Sequence, residues 1–173
     1  MDDSFFIYLE QLELLLFFSG YLLIYLLVHA LAETGPAKKI FKKNIARLLP
    51  FTYAVVGVLY LGFLLKGLYP DYSFSHIIEA SKIPGLKIWG LLSVLFFIPA
   101  LARKPVYSLL HSLVFVFFIL RDLYLFLFKT LDKSLLKNDM NLYMYSLLIN
   151  MLVFLFVVGI SSLYIRLQNK KIG

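Results

Sequence analysis

The chain has 173 residues, 61% of them hydrophobic, with 17 Lys and Arg against 10 Asp and Glu and no cysteine. Soluble domains hold about 45–50% apolar residues, so a water-facing surface over this chain could not be covered, and disulfides, thiolate metal sites and thiol catalysis are excluded. The net charge of +7 sits in lysines and arginines flanking apolar runs, which points to orientation in a membrane and contact with anionic lipid, and not to nucleic acid.

Residues 14–32, 48–65 and 140–165 contain no Asp, Glu, Lys or Arg. A bilayer core of ~30 Å takes ~20 apolar residues in a helix. The predicted fold class is therefore an all-α integral membrane protein: a polytopic helical bundle of about five transmembrane helices forming a single domain. The opening Met1-Asp2-Asp3-Ser4 lacks the basic region of a cleaved signal peptide, so the first apolar run is expected to remain in place.

Span one is predicted over residues 11–32 and is stopped by Glu33-Thr34-Gly35-Pro36. Residues 37–47 follow as a basic interfacial segment. Their apolar side chains share one helical face, and Lys38, Lys39, Lys42, Lys43 and Arg47 are available to acidic lipid headgroups. Span two covers 48–68, with Pro50 tolerated in its first turn. Span three, 86–102, is short, since fifteen uncharged residues separate Lys87 from Arg103, and Pro99 is expected to kink it. Span four runs over 105–128 and is interrupted by Arg121-Asp122; span five covers 141–167. The chain shows no internal repeat.

Orientation follows from the distribution of basic residues. Ten of them (positions 38, 39, 42, 43, 47, 103, 104, 166, 170 and 171) fall on one side, and seven (66, 82, 87, 121, 129, 133 and 137) fall on the other. Cytoplasmic loops carry the excess, which predicts an outer N-terminus and an inner C-terminus. The compact chain with its short loops fits a bacterial inner membrane.

Ionisable residues within spans are costly, at about 2.5–3.5 kcal/mol near the bilayer centre, and each needs a reason. Counting residues from the span ends puts His29 and His111 at similar depth in the inner leaflet. Two such imidazoles suit axial ligation of one b-type haem, a proton relay, or separate bonds to nearby carbonyls, the usual fate of a histidine near a span end. Glu13, Lys66, Arg121 and Asp122 form a second group, expected at one depth toward the outer leaflet, where opposite charges neutralise one another or line a gate. Ser108 and Ser112 make a small-xxx-small face for close helix approach, and Asn150 is expected to hydrogen-bond between helices.

Catalytic signatures are missing. The sequence has no Gly-x-Ser-x-Gly elbow, phosphate-binding glycine loop, His-Glu-x-x-His or acidic cluster for metal-assisted transfer. The expected function is a non-catalytic subunit, structural or assembly-related, of a larger membrane complex. Its partners would be the bilayer, anionic lipids, and other subunits or copies of itself, with no resident cofactor. A small oligomeric transporter or channel is the alternative, and a haem-binding subunit the third.

Overall fold

The computed structural model describes residues 12–34, 45–67, 85–128 and 133–172, and among them every regular element is helical. Helix α1 occupies residues 12–18; a turn at Ser19 and Gly20 separates it from α2, Tyr21–Thr34. A 3-10 turn, Ala46–Leu48, leads into α3, Leu49–Gly67. Helix α4, Gly85–Leu92, continues as a 3-10 segment, Ser93–Phe97, and then α5, Pro99–Ala102. The last two are α6, Pro105–Phe128, and α7, Lys133–Ile172.

Three helices are long and apolar enough to cross a membrane: Leu12–Leu31 (counting through the turn), Ala46–Lys66 and Met140–Ile165. The other two predicted spans differ from these. Lys87–Phe97 and Pro105–Arg121 are shorter apolar helices. In the first, Ile98 is extended, with ψ 123°, directly before Pro99. Proline clashes with the backbone of the residue before it and drives that residue out of the α region, so the helix stops one residue earlier than the missing proline donor would require. The final helix starts at Lys133, well before the expected residue 141, because Lys133, Leu135, Leu136 and Lys137 are good helix formers and no glycine or proline intervenes.

Side-chain contacts fix the direction of each segment. Down α1 and α2, Phe18 meets Tyr60 and Phe115, while Tyr21 meets Tyr53 and Ser108. Helices α3 and α6 therefore both run opposite to α2. The 85–102 segment descends again, since Gly90 faces Tyr60, Phe96 meets Tyr53 and Phe97 meets Phe51. The four residues between α6 and α7 reach no more than about 17 Å, so α7 must start near the end of α6. From there it passes Gly20 at Ser146. Five segments thus alternate in direction around α3, which touches α4, α5, α6 and α7 and meets α1 and α2 through the Phe18–Tyr60 and Tyr21–Tyr53 ring contacts.

The core is unusually aromatic. Phe18, Tyr21, Tyr53, Tyr60 and Phe115 are fully buried, joined by Leu14, Leu49, Val56, Val153 and Val157. Two close approaches let these rings meet. A Cβ on Gly57 would collide with Ser93 Oγ, and one on Gly20 would lie 2.5 Å from the Leu147 amide nitrogen. Gly20 admits a neighbouring backbone, and Gly57 the Ser93 hydroxyl, where a side chain would otherwise stand.

Candidate functional site

Two polar constellations lie inside the bundle, and the first is built on the break in the first apolar helix. Ser19 returns its hydroxyl to Leu15 O at 2.6 Å, a back-bond that loosens the helical turn. The Gly20 amide donates instead to Ser146 Oγ on α7, at 2.9 Å. Asn150, one turn further along α7, donates through Nδ2 to Phe17 O at 2.7 Å and to Ser146 O at 2.8 Å. Ser19, Ser146 and Asn150 are all fully buried. In hydrocarbon every freed backbone group must find a partner, and here two side chains on α7 supply partners to the broken strand of hydrogen bonds. Asn150 thus bonds across helices, whereas Ser146 was not singled out from the sequence. Its i−4 spacing from Asn150 was the available signal.

The second constellation surrounds His111. Its Nδ1 lies 2.8 Å from the Tyr53 hydroxyl, and its ring stacks on Trp89 with centroids 4.6 Å apart and planes 4° from parallel. The Trp89 indole donates to the His111 carbonyl at 3.2 Å, and Phe96 presents its edge to the imidazole. His111 Nε2 is buried and has no hydrogen-bond partner among the described residues. Below it, Tyr21 donates to Ser108 Oγ at 2.7 Å, and Ser108 in turn donates to Pro105 O. Ser112 donates to Leu109 O. Both serines are fully buried, with the Tyr21 hydroxyl of α2 meeting Ser108.

His29 and His111 are not brought together. His29 bonds Tyr25 O through Nδ1 at 3.0 Å and stacks on the Tyr25 ring at 4.3 Å. From there the ring contacts pass through Tyr25, Tyr21 and Tyr53 before reaching His111. Counting from span ends misplaced the two because α6 enters the core at its first turn, with Ser108 already beside Tyr21, whereas His29 lies two turns beyond Tyr21. A flat macrocycle held by both imidazoles needs those tyrosine rings to move.

The charged residues fall at one end. Phe18 packs on both Tyr60 and Phe115, so Glu13, Lys66 and Arg121 stand roughly 7–9 Å above that layer at the usual helical rise. The Arg121 guanidinium lies 5.6 Å from the centre of the Phe118 ring. The Asp122 side chain lies outside the described residues, as do Lys38, Lys39, Lys42 and Lys43. Arg47 is described and exposed at the opposite end.

Among the described residues no three His, Asp or Glu side chains gather as a metal site would require. What the geometry offers chemically is hydrogen bonding inside an apolar bundle. Comparison with family models, with curated proteins and with solved structures gives no match for this chain.

Proposed function

We propose that this protein is a non-catalytic subunit of a larger membrane assembly, crossing the bilayer five times with the N-terminus outside and the C-terminus inside. One observation carries the reading. Only 17% of the Met140–Ile165 window is buried within the chain, against 56% and 44% for the other two long spans. Helix α7 is held by one narrow edge and turns Leu148, Leu152, Leu155, Phe156 and Leu163 outward. Such a wall serves a scaffold that packs on neighbouring spans. The alternation of five segments and the excess of basic residues on one side support the orientation, and the compact chain suits a bacterial plasma membrane. Gentle extraction followed by native mass measurement tests the function: unlike chains that co-purify stoichiometrically support it, and a lone species overturns it.

A small transporter or channel is the second reading. The helix break favours it, because Ser146, Asn150 and the Gly20 amide put hydrogen-bonding groups inside the bundle. Solute or ion flux through liposomes holding the purified protein alone would establish that reading.

A further inference from the structure

Gly20, Gly57 and Gly90 each stand where a Cβ would collide with a neighbouring element. Gly159 on α7 meets nothing within 4 Å, although it lies inside the Met140–Ile165 span. Glycine weakens a helix interior, and elsewhere in this chain it gains a close approach in return. Register defines the face on which Gly159 sits. At about 100° per residue, Asn141 is in line with it and Leu148 and Leu152 fall roughly 20° to either side. Buried Ser146, Asn150, Val153 and Val157 fall roughly 120–180° away. The stripe is therefore the edge of α7 turned furthest from the rest of the chain, and Leu148 and Leu152 on it are more than half exposed.

The same register brings Lys137 to one end of the stripe and Arg166 and Lys170 to the other. Lys137 and Arg166 stand roughly 44 Å apart along the helix, the separation of the two headgroup layers of a bilayer. Asp139, the acidic residue of α7, falls on the opposite side by register. These charges choose among occupants. A second copy in the same orientation would set Lys137 against Lys137 and Arg166 against Arg166. An inverted copy would set Lys137 against Arg166 and Lys170. Both arrangements oppose like charges at each end. Lipid chains close over leucine as readily as over glycine, so they give an open glycine on the stripe no use. We propose that this edge of α7 docks one membrane-crossing helix of an unlike subunit. That helix is seated against Gly159 and bears carboxylates that face Lys137 at one headgroup layer and Arg166 with Lys170 at the other. The assignment rests on the subunit reading above and adds to it the surface and the chemistry of the partner.

The test is native mass measurement of the full chain gently extracted from its own membrane, comparing variants for the unlike chain that they retain. Gly159→Leu is expected to retain about tenfold less, the effect of bulk forced into a close approach. Gly62→Leu adds the same bulk on α3, at a glycine equally open but one turn from Lys66, and is expected to retain it in full. Lys137→Gln and Arg166→Gln are each expected to lower retention at low salt, where exposed charges act over the longest range. The near-ultraviolet band of Trp89 verifies that each variant is folded; should Gly159→Leu lose it, Gly159→Ala is read in its place. Native-level retention by the position-159 variant overturns the inference and leaves the subunit reading standing. So do equal losses at positions 159 and 62, and retention indifferent to both charge variants. A retained chain that proves to be a second copy overturns the unlike partner. A lone native species overturns this inference and the subunit reading together.

Discussion

Position 20 accepts no side chain, because a Cβ there would lie 2.5 Å from the Leu147 nitrogen and 2.6 Å from its Cα, both backbone atoms that cannot rotate away. Relief requires α7 to shift outward, which also strains the Gly20 to Ser146 bond. Gly20→Ala is therefore expected to lower stability by about 1–3 kcal/mol, in the range of overpacked cores. A denaturant titration in detergent reads this directly, and an unchanged midpoint would show that the approach is looser. Tyr53 offers a milder case. Its hydroxyl reaches His111 Nδ1 and its ring packs on Tyr21, so Tyr53→Phe keeps the packing and removes only the bond. The expected loss is about 0.6 kcal/mol, the average for hydrogen bonds inside membranes, and no more than about 1.7 kcal/mol. Trp89, the single tryptophan, reports on the same place because it stacks on His111. Replacing His111 with Leu should weaken the near-ultraviolet circular dichroism band of that indole, and a preserved band would mean that the stack does not order it.

At the scale of elements, α1 and α2 act as two rods joined across a gap that α7 bridges. Ser146 and Asn150 serve the same break and touch each other, with Nδ2 3.4 Å from Ser146 Oγ. Residues sharing one network do not contribute independently. The Ser146→Ala and Asn150→Ala variants are each expected to destabilise, and the double variant by less than the sum, with a coupling of at least about 0.5 kcal/mol. Strict additivity would mean that the two side chains act separately. Helix α4 and its 3-10 continuation depend on α3 in a comparable way. The absence of a side chain at Gly57 admits Ser93, whose hydroxyl returns to Gly90 O at 2.6 Å and so brings no unpaired group into the apolar contact. A leucine at position 57 should lift the 85–97 segment away from α3 and expose the Tyr53 to Phe96 contact, measurable as faster proteolysis there or as faster labelling of a cysteine introduced in that segment.

For the whole molecule, the proposed five crossings have a consequence that no side-chain contact affects: the termini would lie on opposite faces. Tags read by a membrane-impermeant reagent should label the N-terminus from outside and the C-terminus only after permeabilisation. Labelling of both from one side would mean that the 85–102 segment enters and leaves by the same face. The number of crossings turns on that segment. Its α-helix, 3-10 stretch and four-residue α5 are interrupted at Ile98, and its apolar helix is shorter than the three long spans.

Solvent chemistry alone carried the class of fold. Uncharged runs near twenty residues long have one stable form in hydrocarbon, the helix, and that follows from composition without knowing any contact. Counting from helix ends also gave the expectation that Glu13, Lys66, Arg121 and Asp122 share one depth, but the same count set His29 and His111 at a depth that they do not share. The sideways arrangement was another matter. Nothing in the order of residues says that Ser19 and Gly20 open the first helix, that Ser146 and Asn150 close the gap, or that Trp89 covers His111 while three tyrosines separate it from His29. Those outcomes depend on which helix faces lie against one another. In a bundle apolar on every side, hydrophobicity does not choose a face, so close approach at glycine and a few buried hydrogen bonds make the choice, and only the folded chain reveals them.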